Sequence, residues 1–255
     1  MLHMGAYYTS IANTAADQQI QALTDPLLQI RDNAFITPSQ MPRVILAHFF
    51  GTNLTVAKFK PASYRNLGDY WVEPFANAVG GAATTTPYLD LTDYPDTGAP
   101  LVLSALEELP AYGQQGSGGS QDAYAFALFS DGKPTKREGR FFTVRATGTT
   151  TLTAKSFTLC SLTMDTGLPS GRYNLVGARV KSTGILAFRF AMPEVLNRPG
   201  GLGSQNDLSF TPRGQRNGGW GIWGSFDHLT IPQVDVLSTS ADTAQTVWFD
   251  LEKVS

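Results

Sequence analysis

The apolar residues of this chain gather in short runs separated by small polar ones. The clearest case is Arg172 to Pro193, RYNLVGARVKSTGILAFRFAMP. Its first arm, Tyr173 to Val180, mixes apolar and small residues, and its second, Ile185 to Phe190, is dense in branched and aromatic ones. Between them lies Lys181-Ser182-Thr183-Gly184, a polar stretch closed by glycine, which signals a tight β-hairpin. Alternation along the second arm puts Leu186 and Phe188 on one face and Ala187 and Arg189 on the other. The Phe188 face is predicted to be the core, because arginine is rarely buried unpaired.

The same plan occurs earlier. Arg43 to Pro61, RVILAHFFGTNLTVAKFKP, opens on arginine, turns at Gly51-Thr52-Asn53, and carries Ala57 and Phe59 on its second arm before closing on proline. Met41-Pro42-Arg43 precedes one copy and Leu168-Pro169-Ser170-Gly171-Arg172 the other. Further on, Leu106-Glu107-Glu108-Leu109 matches Phe226-Asp227-His228-Leu229, and each half ends in an aromatic strand, Tyr124 to Phe129 and Thr246 to Leu251. The offset is roughly 120–130 residues, too long for a solenoid repeat, and implies two tandem domains of one kind. The expected organisation is an N-terminal helical arm over 1–33, a first β domain over 34–131, a linker over 132–140 and a second β domain over 141–255.

The helical expectation rests on residues 10 to 32, where Ile11, Ala15, Ile20, Leu23, Leu27 and Ile30 fall near helical spacing. Thr24-Asp25-Pro26 resembles a helix cap followed by first-turn proline. Such a segment either covers a sheet or docks on a neighbouring subunit. Stretches 76–100, 112–121 and 197–219, rich in small, polar and glycine residues, read as long loops. A strand is expected around Thr150 to Lys155.

Composition supports short strands joined by turns: 25 Gly and 15 Pro in 255 residues, 42% hydrophobic and only 16% charged. A net charge of −2 gives no electrostatic case for nucleic acid or an anionic membrane. The single cysteine, Cys160, excludes an intrachain disulfide framework and a cysteine-based metal site. Met1 to Ser10 lacks the basic start and apolar core of a signal peptide. No run approaches the ~18 apolar residues of a membrane helix. The expectation is a chain made in the cytoplasm. Asn53-Leu54-Thr55 fits a glycosylation sequon, but by chance.

Chemistry is sparse. His3, His48 and His228 have no metal-ligand spacing. Asp227 with His228, and Glu107 with Glu108, are adjacent on expected strands and so face opposite sides. There is no nucleophile elbow or phosphate-binding loop, and Pro199-Gly200-Gly201-Leu202-Gly203 does not lie between a strand and a helix. Cys160 reads as an inert core thiol. Trp220 and Trp223 are either core packing or, with Tyr64, Tyr70 and Trp71, a sugar-stacking surface. No catalytic residue, metal ligand or cofactor site is expected.

Two tandem β-rich halves resemble the double jelly-roll major capsid proteins of icosahedral bacterial viruses, the adenovirus-type lineage. The second half carries the closer likeness, in Arg145-Ala146-Thr147-Gly148-Thr149, Leu168 to Tyr173, Arg198-Pro199-Gly200, Trp223-Gly224-Ser225-Phe226 and Ala241-Asp242-Thr243 onward to Leu251. The resemblance covers residues 35 to 255. It implies an all-β double jelly roll in a virion shell, built by homotrimers of pseudo-sixfold outline that contact neighbouring capsomers and other virion proteins such as vertex proteins. An internal membrane or genome contact is not supported by charge. The loops and the N-terminal segment are expected to supply large lateral interfaces. At 255 residues the chain is short for two jelly rolls, which leaves a single larger sandwich open. A carbohydrate-binding β-sandwich, or a glycan hydrolase using two distant acids, are the other readings.

Overall fold

The computed structural model describes residues 1–64, 70–71, 76–79, 82–85, 88–90, 101–116, 118–132, 141–205, 217–218 and 220–254. The chain divides into two compact units, Met4–Gly132, and Lys133–Ser255 with Met1–His3. Both are built of β-strands.

In the second unit the eight principal strands are, in chain order, Phe141–Gly148, Phe157–Cys160, Arg172–Ser182, Ile185–Ala191, Gly200–Leu202, Gly224–Asp227, Gln233–Ser238 and Gln245–Lys253. One sheet runs first, eighth, third, sixth, and the other runs second, seventh, fourth, fifth. This interleaving of two four-strand sheets is a jelly roll. Its core lies between them, where Phe190 meets Phe249 at 5.2 Å and Trp223 at 6.3 Å between ring centroids. Phe188 packs on Phe190 and is fully buried, on the predicted face.

The first unit repeats the order. Its strands are Leu2–Ile11, Gln18–Ala22, Arg43–Thr52, Leu54–Phe59, Tyr70–Trp71, Leu101–Val102, Ala111–Gln115 and Gln121–Ser130. The first, eighth, third and sixth are again adjacent, as are the second, seventh, fourth and fifth. Here the first two strands also pair, Tyr7 opposite Ala22, so the two sheets join along an edge. Tyr7, Phe35, Phe49, Phe59 and Phe129 fill the core. The chain is thus an all-β double jelly roll. The two hairpins singled out above are the third and fourth strands of each jelly roll, and the two closing aromatic strands are each the eighth.

The N-terminal helical arm does not form. Residues 2–11 and 18–22 are strands within the first jelly roll's sheets, so removing residues 1–32 would delete two strands and not a peripheral arm. Ile11 and Ile20 are buried from two different strands, and their spacing imitates a helical stripe by accident. Asp25 does accept hydrogen bonds from the Leu27 and Leu28 backbone N–H groups at 2.7 and 2.8 Å. It caps a turn with no helix behind it. Asp32 and Asn33, both at positive φ, then reverse the chain into Ala34–Ile36.

Three expected loops are partly strand. Ala76–Val79, Ala82–Thr85 and Tyr88–Asp90 occupy 76–100, Ala111–Gln115 and the start of Gln121–Ser130 occupy 112–121, and Gly200–Leu202 and Ser204–Gln205 occupy 197–219. Glycine there marks close backbone approach as well as turns. A Cβ on Gly113 would lie 2.9 Å from Leu54, and one on Gly200 2.1 Å from the Phe188 carbonyl. Thr150–Lys155, expected as a strand, is a connection. The charged linker at 133–140 lies outside the described residues, as do 91–100 and 206–216.

Candidate functional site

Most residues whose chemistry attracted notice have structural work. His48 is buried and stacked on Phe50 at 4.3 Å; burial pushes its imidazole down to about 3. Glu107 accepts from the backbone N–H groups of Ser63 at 2.5 Å and Ser104 at 2.8 Å. Glu108 pairs with Arg31. The two carboxylates therefore point to different partners. Burial pushes the Cys160 thiol up to about 11, against a hydrogen bond with Thr150; at neutral pH it stays protonated and is a poor nucleophile. His228 is not turned away from Asp227 as expected, because the strand ends at Asp227: His228 Nδ1 lies 3.0 Å from Asp227 Oδ1 and accepts from Gly171 N–H at 3.3 Å. His3 Nδ1 accepts from Arg198 N–H at 2.9 Å. Trp223 is a core residue with Trp220 stacked on it at 5.7 Å, which removes the exposed tryptophan platform. The side chains of Tyr70 and Trp71 lie outside the described residues. Among the described residues there is no cluster of three or more His, Cys, Asp or Glu suited to a metal, and no helix long and apolar enough to cross a membrane.

Arg189 departs from expectation. Its face of the strand is covered, and its guanidinium pairs with Asp235 at 2.9 Å while both side chains are 4% exposed. Its carbon centre also lies 3.9 Å from the Phe157 ring centroid. Arg198 reaches the same carboxylate. The first jelly roll has a counterpart on its fourth strand: Lys58 pairs with Asp17 at 2.9 Å, and Lys60 with the same oxygen at 2.5 Å. Burial alone would raise the Asp17 carboxyl, but hydrogen bonds from Lys60, Lys58 and Gln114 bring it down to about 2.

Each strand of a jelly roll reverses the chain, so connections alternate between the two ends of the barrel. In the second jelly roll one end is polar. Asp242 accepts from Ser182 Oγ at 2.6 Å and Thr183 N–H at 2.7 Å, tying the last connection to the central hairpin. Ser238 Oγ donates to the Ser240 carbonyl at 2.7 Å beside it. Burial works against the Asp242 carboxylate, but the hydrogen bonds outweigh it and lower its pKa.

The opposite end is apolar. Arg172 organises it: it sits opposite Asp227 in the sheet, its carbonyl accepts from Val254 N–H at 2.9 Å, and its side chain pairs with Glu194. At this end Leu196 is 83% exposed and Leu229 82%, with Val195, Val254 and Phe142 also exposed. No large hydrophobic side chain described at the polar end is exposed. In the first jelly roll, Leu106 occupies the same connection as Leu229, between the sixth and seventh strands. It is 65% exposed at φ +62°, a conformation that a leucine adopts only at a cost. Sequence reasoning passed over these leucines. The available signal was an aliphatic residue isolated in a polar connection, as in Glu194-Val195-Leu196-Asn197-Arg198.

No protein-family model matches the chain, and no curated protein does. Among solved structures it is similar to the crystal structure of the major capsid protein P2 from bacteriophage PM2, at 11% identity and a TM-score of 0.27, covering 100% of this chain and 98% of that one. At that score the likeness carries no argument, and the fold assignment rests on the strand order itself.

Proposed function

We infer that this chain is a virion structural protein, a major capsid protein that forms an icosahedral shell through trimeric capsomers. The observation that carries the reading is the repetition of one jelly-roll strand order twice in a single chain. Two like lobes per chain make six in a trimer, and a nearly hexagonal unit tiles a closed shell with repeated contacts. The reading also accords with the occupied state of the candidate catalytic groups, since Glu107, Cys160 and His48 all hold structural positions. Lateral contacts of roughly 2,000 Å² or more per pair are expected, as in obligate assemblies. Light scattering after size exclusion, followed by electron microscopy of the peak, tests this. Trimers or closed particles are expected; a stable monomer at high concentration overturns the reading.

A further inference from the structure

Beside its two main sheets, the first jelly roll carries a small three-stranded one, in which Glu108–Leu109 pairs with Ala34–Ile36 and Ala34–Ile36 with Ile30–Arg31. This sheet brings Arg31 to Glu108, and the two side chains pair. The connection that precedes it is held to Thr37 twice: Thr37 N–H donates to the Glu107 carbonyl at 2.7 Å, and Leu106 N–H donates to the Thr37 carbonyl at 3.0 Å. The short turn Ala62–Tyr64 is tied to the same connection through the bond from Ser63 N–H to the Glu107 carboxylate. Between these pieces lies a cleft of about 430 Å³, open to solvent and lined by Arg31, Ser63, Ser104, Leu106, Glu107, Glu108 and two alanines. That volume lies within the roughly 300–1,000 Å³ of small-molecule sites.

We propose that this cleft binds a sugar residue, either a free monosaccharide or the end of a glycan, which present the same hydroxyls. The lining is fixed before any ligand arrives. Glu107 is held by two backbone N–H groups, and a carboxylate has lone pairs for about two more bonds. Arg31 gives Nε–H to Glu108 and keeps its other donors. The hydroxyls of Ser63 and Ser104 make no hydrogen bond among the described residues. Donors and acceptors therefore alternate around one space. A simple anion would face two carboxylates. A simple cation would face the Arg31 charge and leave both hydroxyls unused. A polyhydroxy ring both donates and accepts, and its C–H face can rest on Leu106. That leucine sits at φ +62°, and residues held in such backbone regions recur at ligand clamps. The proposal rests on the cleft alone, independently of the capsid reading.

Saturation-transfer NMR of the full chain is run with glucose, galactose, mannose and N-acetylglucosamine, with their methyl glycosides, and with putrescine and methyl phosphate as cationic and anionic probes. Transfer to at least one sugar is expected, with a dissociation constant on the order of 1 mM for so open a site, and transfer to neither ionic probe. Transfer retained by the glycosides supports a glycan end as the source, and transfer lost in them supports the free sugar. Arg31→Gln should weaken binding about tenfold, and Ser63→Ala with Ser104→Ala about fivefold, since hydrogen bonds to charged groups contribute more than neutral ones. Thermal melting of both variants establishes that they fold. Leu106→Gly should raise the melting temperature and still weaken binding; a leucine with only a structural role would move melting alone. Absent transfer to all four sugars, sugar binding unchanged in both the Arg31→Gln and the serine variants, or binding of putrescine or methyl phosphate in place of a sugar each overturns the proposal. A stable monomer that still binds sugar overturns only the capsid reading.

Discussion

The outward faces of the two long sheets differ in chemistry although the strand orders agree. In the first jelly roll that face is aromatic: His48 stacks on Phe50, Phe50 meets Phe126 at 5.6 Å, and Tyr8 meets Tyr124 at 5.0 Å. In the second it is polar. Arg179 lies over Trp248 at 4.8 Å, Thr143 Oγ1 donates to Asp250 at 2.7 Å, and Asn174 donates to Glu252 at 3.3 Å. Because neighbouring residues of a strand face opposite sides, the inward set can hold the core while the outward set diverges. A duplicated jelly roll therefore keeps its topology while its outward sheet faces, both largely buried, acquire different chemistry.

The largest test of that division is on the inward face. Phe188→Asp and Phe59→Asp should each prevent folding, since both rings are fully buried and an unpaired carboxylate in a core is strongly unfavourable. Soluble yield and thermal melting report it. If either variant melts like the parent, the inward face of that strand is misassigned and the equivalence of the two hairpins fails with it.

The paired charges on the two fourth strands should differ next. Asp235→Ala leaves the guanidinium of Arg189 buried without its carboxylate and should cost about 3–5 kcal/mol. Asp17→Ala acts at a partly open site, where Asp17 is 20% exposed and Lys60 33% but Lys58 only 7%, and a smaller loss of about 1–3 kcal/mol is expected. Denaturant titration of the two variants measures the gap. Equal losses would mean that the two sites are equally desolvated.

Acid should then separate the buried histidine of the first jelly roll from its paired carboxylate. His48 ionises at about 3 in the folded chain against an ordinary 6.5, so the unfolded chain takes up this proton first as pH falls. Its contribution is neutral above pH 6.5. Stability is lost between 6.5 and about 3, at up to ~1.4 kcal/mol per pH unit. His48→Phe should flatten the stability profile in that window. The Asp17 carboxyl acts lower: its pairing is fully present above its ordinary 3.8 and is lost as pH falls towards about 2, a loss that Asp17→Asn should remove. A profile unchanged by His48→Phe would place the imidazole in contact with water.

The smallest effect distinguishes the two exposed leucines that lie between sixth and seventh strands. Leu106 has φ +62°, so Leu106→Gly should stabilise by roughly 0.5–1 kcal/mol through relief of strain. Leu229, whose backbone is not left-handed, should gain nothing from glycine. Melting temperatures of the pair decide it.

Strand patterning was legible because β-hairpins are local. Gly184 and Asn53, both at positive φ, mark their turns from sequence alone, and the apolar arms on either side need only alternate. The match of Leu106–Leu109 with Phe226–Leu229 does not hold residue for residue, since Phe226 and Leu109 are buried where Leu106 and Leu229 are exposed; the two stretches share only their place near the connection between the sixth and seventh strands. The segment at 10–32 was not, because Ile11, Ile20 and Leu28 reach the core from separate elements, and a helical fit cannot distinguish that from one stripe. The Gly- and Gln-rich stretch at 112–121 failed similarly: Gly113 is a strand residue because Leu54 occupies the space a side chain would take.

The sequence by itself determined an all-β chain of two like halves, since hairpin turns and alternating runs are written in neighbouring residues. Tertiary structure alone decided which residues become surface. Arg189 is buried because Asp235, 46 residues away, supplies its counter-charge from the adjacent strand. Leu196 and Leu229 are exposed because alternating connections carry both to the same end of the barrel. Pairings between distant strands determine burial and exposure, and no local pattern encodes them.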